Sequence, residues 1–308
     1  MRPFDILVAG EINPDLILSG EVEPVFGQVE KLVDSAVLAI GSSSAIFACG
    51  AARLGLKVAF IGVCGEDVWG RFMLEALAER QVDTSHVIVA PWQQTGLSVI
   101  LARQSDRAIL THAGATSALQ AGQVGDDLLL QARHLHVGSY FLQTALQPGL
   151  ADLFRRAHAA GLTTSLDTNW DPAGKWKGVG DLLPQTDVFL PNENELLAIT
   201  GAAELDTAVR LAGKRAGIVA VKLGAQGALA ARGETLIRLP SLPVEPVDTV
   251  GAGDTFDAGF LYGYLNGWEL EKSLQLAIAC GSLSTRAAGG TSAQPTLAEA
   301  RQYAGLPA

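Results

Sequence analysis

In the stretch Asp248-Thr249-Val250-Gly251-Ala252-Gly253-Asp254-Thr255-Phe256-Asp257-Ala258-Gly259-Phe260-Leu261, three small residues lead straight into an apolar helical pattern. Pro243 and Pro246 stop any earlier helix, so the helix starts at the glycines and continues through Phe260, Leu261, Tyr264 and Leu265. Gly251, Ala252 and Gly253 allow the main chain to come close to a ligand, and their N–H groups lie at a helix N-terminus, where the dipole favours an anion. The pattern is a phosphate cradle without a lysine. Asp254 follows immediately, and a carboxylate there would repel the anion that the cradle attracts. The conflict disappears if the carboxylate faces a hydroxyl nucleophile and accepts its proton while the amides stabilise the group in transfer. With an ordinary pKa of ~3.9 and a helix N-terminus favouring its charge, Asp254 is expected to be a weak base at neutral pH. For Asp248 or Asp254 taken alone, a helix cap beside a tight glycine turn is the plainer explanation.

Around this stretch, the 308 residues carry 22 Lys+Arg against 32 Asp+Glu, a formal charge of −10. That balance argues against nucleic acid or an anionic membrane as a partner, because both need clustered Lys and Arg. Hydrophobic residues at 48% and charged residues at 18% supply a large core and argue against disorder. Cys49, Cys64 and Cys280 form no C-x-x-C pair that could hold zinc, and three widely spaced cysteines fit a reducing compartment. Met1-Arg2-Pro3-Phe4-Asp5 shows no secretory pattern, and no apolar run approaches the ~20 residues that cross a bilayer. The expectation is a soluble, cytoplasmic protein.

Short apolar runs at 6–9, 58–61, 135–137, 164–166, 188–190 and 218–221 read as buried strands. Helical patterns over 45–54, 69–80 and 150–160 lie between them, with Gly55 and Gly161 just past two of the ends. This alternation implies an α/β fold with a mostly parallel sheet covered by helices on both faces. Two regions break the rhythm, 12–40 and 94–112. The second reads as strands 96–101 and 108–111 joined by the polar Gln104-Ser105-Asp106-Arg107. Together they predict a small antiparallel sheet, a lid inserted into a core made of 1–11, 41–93 and 113–308. His134 and His136 fall on one side of a strand, an arrangement that suits the core or a metal pair. Asp167-Thr168-Asn169-Trp170-Asp171 ends another strand, and its polarity suits a border of the expected cleft and equally a solvated loop.

The segment around Gly251 and Asp254 resembles the carboxyl-terminal signature of the ribokinase/PfkB family of carbohydrate kinases, and the similarity extends in order along the chain. The resemblance implies a ribokinase-like three-layer α/β/α sandwich with a small β-sheet lid. It implies ATP and Mg²⁺ as cofactors and a sugar as the second substrate. On it, Gly10-Glu11-Ile12-Asn13-Pro14-Asp15 corresponds to the sugar-binding turn, with Asn13 and Asp15 as candidates. The run 52–70 looks like the second half of the amino-terminal signature. Its first half departs: relatives usually carry two adjacent glycines and then an Asn, where this chain has Gly41-Ser42 and then Ile46. Gly41 and Ser42 remain candidates for the sugar, with Ser43 and Ser44 as further hydroxyls, and a serine here is equally an N-cap.

Pro191-Asn192-Glu193-Asn194-Glu195 matches the family's N-x-x-E element, which implies Asn192 near the phosphates and Glu195 near Mg²⁺ through water. The same spacing is a capping box. Lys222, Gly224 and Gly227 correspond to the strand and glycine turn beside ATP, or to a plain hairpin turn. Gly253 and Cys280, the latter on a nucleotide-lining helix, complete that set. Asp248, Val250 and Gly289 are where relatives can bind K⁺. The resemblance thus points to an ATP-dependent sugar kinase with Asp254 as base and the 251–253 amides as anion hole. Gly41 to Gly50 contains no basic residue, which favours an unphosphorylated sugar or sugar-like substrate over a sugar phosphate. A nucleoside kinase, a sugar-phosphate kinase and a silent sugar or nucleotide sensor are the alternatives. A dinucleotide oxidoreductase fits poorly, since no G-x-G-x-x-G follows the first strand, and no Walker A motif is present. Free lid edges point to a homodimer.

Overall fold

The side chains of the first strand, β1 (Phe4–Ala9), alternate between two cores: Ile6 and Val8 enter one, Leu7 and Ala9 the other. That is the period of a strand buried on both faces. In the computed structural model, which describes residues 2–103 and 106–307, β1 lies inside a nine-stranded sheet. On one side of it stand β4 (Val58–Ile61) and the edge strand β6 (Val82–Asp83). On the other side follow β10 (Ala132–Val137), β11 (Thr163–Leu166), β12 (Val188–Phe189), β13 (Ile218–Lys222), β14 (Ala228–Arg232) and β15 (Thr235–Leu239). Pairing is parallel from β6 to β13 and antiparallel for the last two strands. A parallel pair, β5 (Val63–Gly65) with β7 (Ile88–Ala90), stands apart.

Helices α1 (Ser43–Arg53), α2 (Val68–Glu79), α8 (Ala252–Leu265), α9 (Leu270–Ser284) and α10 (Leu297–Tyr303) cover the Ile6/Val8 face. The opposite face carries α3 (Asp126–Leu129), α4 (Gln147–Ala159), α5 (Val179–Leu182), α6 (Glu193–Thr200) and α7 (Leu205–Gly213). The result is the expected α/β/α sandwich. No helix among the described residues is long and apolar enough to cross a membrane.

The second sheet has the order β3-β2-β8-β9, from β2 (Pro14–Ser19), β3 (Ser35–Ile40), β8 (Leu97–Arg103) and β9 (Asp106–His112). It corrects the sequence expectation of an antiparallel patch, because its central pair, β2 with β8, is parallel. The two hairpins are joined by residues 41–96, and so long a crossover permits a parallel junction that a tight turn forbids. Asp106 and Arg107 belong to β9 rather than to the connection; Gln104 and Ser105, like Met1, lie outside the described residues.

Because seven strands of the large sheet run the same way, their carboxyl ends and the turns after them share one edge of the sheet, where open α/β folds bind ligands. Helices α8 and α9 pack closely over that sheet because Gly259 has no side chain: a Cβ there would lie 2.9 Å from the Ala277 Cα and 2.9 Å from the Cys280 Sγ. Helix propensity alone would make Gly259→Ala stabilising by ~1 kcal/mol, whereas overpacking costs about 1–3 kcal/mol. Backbone cannot yield as a flexible side chain does, so the clash wins. Thermal melts of this variant are expected to show a Tm lowered by roughly 2–6 °C, and a raised Tm would show slack between the helices.

Candidate active site

Gly251, at φ 71°, is the left-handed N-cap of α8. Of the three amides in the expected cradle, that of Ala252 is taken by the Thr249 carbonyl at 3.3 Å. This removes Ala252 as a donor. The amides of Gly251 and Gly253 have no hydrogen-bond partner among the described residues, as expected for the first turn of a helix. Asp254, in that first turn, is 8% exposed. The hydroxyl of Ser43, the first residue of α1, is near enough to favour its charged form, so two helix N-termini meet at this carboxylate.

The expectation that Asp254 is a weak base at neutral pH is overturned. Burial, reinforced by the charges of Asp167 and Glu11 and opposed by Lys222, pushes it up to about 8. Desolvation of a carboxylate here outweighs the helix dipole, whose effect is ~1 kcal/mol or less in ordinary settings.

Below Asp254 lies a buried ionic cluster. Lys222 Nζ stands 3.0 Å from Asp167 Oδ2 and 3.1 Å from Asp257 Oδ2. Burial alone would discharge the lysine, but Asp167, Asp257 and Glu195 hold its proton more firmly than usual. Burial would likewise raise Asp167, yet Lys222 and hydrogen bonds from Asp257, Lys222 and Asn169 keep it ionised. Asp257, driven well up by burial, is the neutral member. Lys222 is therefore not a free cation; its stem borders a cavity while its charge is committed to the cluster.

That cavity, about 350 Å³, lies between the β13–β14 turn and α8–α9. Gly224, Gly227, Leu242, Val244, Gly253 and Gly281 are among its walls. Gly224 and Gly227 have φ of 56° and 93°; they form a hairpin turn and line the cavity at once. Cys280 does not reach it. Its side chain is fully buried against Gly259, while Ile278, Gly281 and Ser282 face the space. On a helix, a one-residue step turns a side chain by ~100°.

Asn192 and Glu195 form a complete capping box: Asn192 accepts from the Glu195 amide at 2.9 Å, and the Glu195 carboxylate takes the Asn192 amide at 2.9 Å and its side-chain NH₂. Buried beside Asp167, with Lys222 opposing, Glu195 is pushed up to about 7.

The expected sugar-side residues come together. Asp15 lies against Gly41, with Asn13 Nδ2 3.5 Å from its Oδ1. Burial pushes Asp15 up to about 6 against the pull of Arg107 on β9. Ser42 caps α1 by accepting from the Ala45 amide, while its hydroxyl donates to the Glu11 carbonyl at 2.6 Å. Asp248 accepts from the amides of Val250 at 3.0 Å and Gly289 at 2.9 Å, and Arg107 Nη1 stands 3.6 Å away. His134 and His136 both bond Ser165 Oγ, at 2.7 and 2.8 Å, and burial pushes each down to about 3. They are neutral core groups, and no cluster of three or more His, Cys, Asp or Glu among the described residues is placed to hold a metal.

A model of the pfkB family carbohydrate kinases matches residues 4–297. The chain belongs to this family. A ribokinase of Haemophilus influenzae is 29% identical over 307 residues, covering 97% of each chain. A 5-dehydro-2-deoxygluconokinase of Geobacillus thermodenitrificans is 27% identical over 321 residues, 98% of this chain and 93% of the relative. Among solved structures, an E. coli protein in complex with ATP and Mg²⁺ superposes with a TM-score of 0.88 at 25% identity, over 97% of this chain and 98% of that one. As a pfkB kinase, the protein is a phosphotransferase.

Two features of this pfkB kinase escaped the sequence reading. Ile46, in place of an Asn, is wedged against Gly251 and Gly290, so an aliphatic wall backs the α8 turn. Glu11 is 2% exposed and bonded to serines of two other segments. A charged residue directly after an apolar strand and a glycine was the available signal, and it did not distinguish a buried acid from a solvated turn.

The raised Asp254 has a consequence for stability. Unfolded, it ionises near its ordinary value, ~4; folded, only near 8. Between these pH values the native state holds a proton that the unfolded state has lost, so stability falls as pH rises through the window and is level above it. Asp254→Asn removes this loss. Its Tm relative to the unaltered protein is expected to climb from about pH 5 to about pH 8 and then plateau; a flat difference would contradict the raised value.

Proposed function

We propose that this kinase transfers the γ-phosphoryl group of ATP to a hydroxyl of a small, unphosphorylated sugar or sugar-like substrate. The observation that carries the reading is a buried carboxylate tuned near neutrality, Asp254, one residue after an unpaired amide, Gly253, that borders a cavity of about 350 Å³. A base whose pKa lies near the working pH is the effective one. The substrate hydroxyl oxygen bonds to the γ-phosphorus, the bond from that phosphorus to the β,γ-bridging oxygen breaks, and the hydroxyl proton passes to Asp254. ADP leaves. The amides of Gly251 and Gly253 stabilise the charge on the group in transfer. Asn13, Asp15 and Gly41 hold the sugar, with carboxylate oxygens as acceptors for its hydroxyls. Gly224, Gly227 and Gly253 border the nucleotide.

The residues fit Mg²⁺ only through water. Asn192 and Glu195 spend their direct bonds on each other, so they would act on the hydration shell of an ion carried by the triphosphate, where Mg²⁺ supplies charge neutralisation. At Asp248, Val250 and Gly289 the Asp248 carboxylate accepts two amides and faces an arginine, so its side chain is engaged within the protein and no step is assigned to K⁺. The 41–50 segment lacks a basic residue, and Arg107 is engaged with Asp248; both support an unphosphorylated acceptor.

ADP release over a panel of sugars, keto-sugar acids and nucleosides, with ATP and Mg²⁺, tests this. At least one unphosphorylated sugar is expected to turn over, and Asp254→Asn is expected to lower kcat by ~10²-fold or more while sugar binding persists. Turnover of sugar phosphates alone would overturn the substrate assignment, and full activity of the variant would overturn the base.

The smaller sheet, segments 12–40 and 94–112, serves in this reading as the lid over the sugar. Its exposed Val37, Ile109 and Leu110 and its free β9 edge suit a second copy, whose identical edge pairs across a two-fold axis. Sedimentation velocity is expected to give a dimer that Leu110→Lys dissociates; a monomer at micromolar concentration would refute the pairing.

A further inference from the structure

We propose that Glu11 is a positioning residue for phosphoryl transfer: its carboxylate clamps the N-terminus of α1 and the turn after β10 around Asp254. The proposal rests on the reading of Asp254 as the base.

The clamp joins segments remote in sequence. The Glu11 carboxylate accepts from the Ser44 amide at 3.2 Å, from the Ser44 hydroxyl, and from the Ser139 hydroxyl at 2.8 Å. Its own carbonyl accepts from Ser42. Glu11 thus grips Ser42 and Ser44, the two neighbours of Ser43, and Ser43 is the residue whose hydroxyl favours the charged form of Asp254. The grip is under load. Ser42 and Ser139 hold φ of 67° and 50°, a left-handed conformation that costs a non-glycine residue ~1 kcal/mol or more and persists only where other bonds enforce it. Asn169, at φ 51°, donates to Ser139 Oγ at 2.9 Å, and its amide meets Asp167 Oδ1 at 3.2 Å. One hydrogen-bonded chain therefore runs from Glu11 to the carboxylate that neutralises Lys222.

No Lys, Arg or His among the described residues lies within 4 Å of Glu11. A buried carboxylate without a cation is costly; hydroxyl and amide donors and the α1 dipole meet that cost here. The charge also reaches Asp254. The charged groups that act on Asp254 are Asp167 after β11, Lys222 on β13 and Glu11 after β1, and its remaining titratable neighbour, Asp257 on α8, is neutral. Removing the negative charge of Glu11 makes Asp254 easier to ionise.

The test uses the full chain, ATP, Mg²⁺ and whichever sugar the panel selects. For Glu11→Gln, the acid limb of the kcat/KM profile is expected to move down by about half to one pH unit. Its kcat is expected to fall about tenfold with the KM for ATP unchanged. A role confined to folding would lower Tm and leave the acid limb in place. Ser139→Ala keeps the charge and loosens the clamp; its kcat should fall severalfold with the limb unmoved, and it stands as the second arm should Glu11→Gln fail to fold. Wild-type kcat in Ser139→Ala, or a folded Glu11→Gln with the wild-type profile, overturns the proposal. Asp254→Asn in parallel separates the two readings: activity in that variant removes the base and the clamp together, whereas its loss beside a wild-type Glu11→Gln removes the clamp alone.

Discussion

One ammonium, Lys222, is shared among the buried carboxylates beneath the α8 turn. Asp167 and Asp257 touch it, Glu195 lies close enough to strengthen its hold on the proton, and it partly offsets the rise of Asp254. A buried, unpaired charge costs several kcal/mol, so a site with more acids than cations stays near neutral by keeping protons. Asp167 takes the ion pair, Asp257 keeps its proton, and Asp254 and Glu195 are left to titrate near neutrality. The tuning that suits a base for an alcohol follows from this imbalance rather than from any single contact.

Backbone geometry places that imbalance beside an anion site. Parallel strands deliver Glu11, Ser139, Asp167, Asn192 and Lys222 to one edge of the sheet, and two helices begin there, α1 with Ser43 and α8 with the Gly251 turn. Close approach is possible only because glycines stand at the contacts. Gly251 and Gly290 leave room for the Ile46 side chain at the α8 turn, and α8 meets α9 across Gly259. The amides left without intrahelical partners at α8 are thus held still beside the carboxylate, and a preorganised donor needs no rearrangement when charge develops.

Much of this was legible in the chain. Two-sided burial of short apolar runs and their alternation with helical stretches set the parallel sheet, because each residue reports its own burial through its side chain. The run from Gly251 to Asp254 announced a helix N-terminus with an acid beside it, for the same local reason. The inserted strands were visible, but their central parallel pairing was not, since nothing in either hairpin states how the two approach each other.

What the amino-acid sequence by itself determined was therefore the layered α/β architecture, the place of the α8 turn and the family to which its residues point. Only the tertiary structure decided that Ala252 spends its amide on Thr249, that Cys280 turns into the α8–α9 seam, that Lys222 is held by two aspartates and that Glu11 ties three segments together. The physical reason is common to all of these. Helical and strand periods are local properties, whereas a proton affinity or a hydrogen-bond partner depends on which groups from distant parts of the chain are buried together, and burial of charge is a property of the assembled fold.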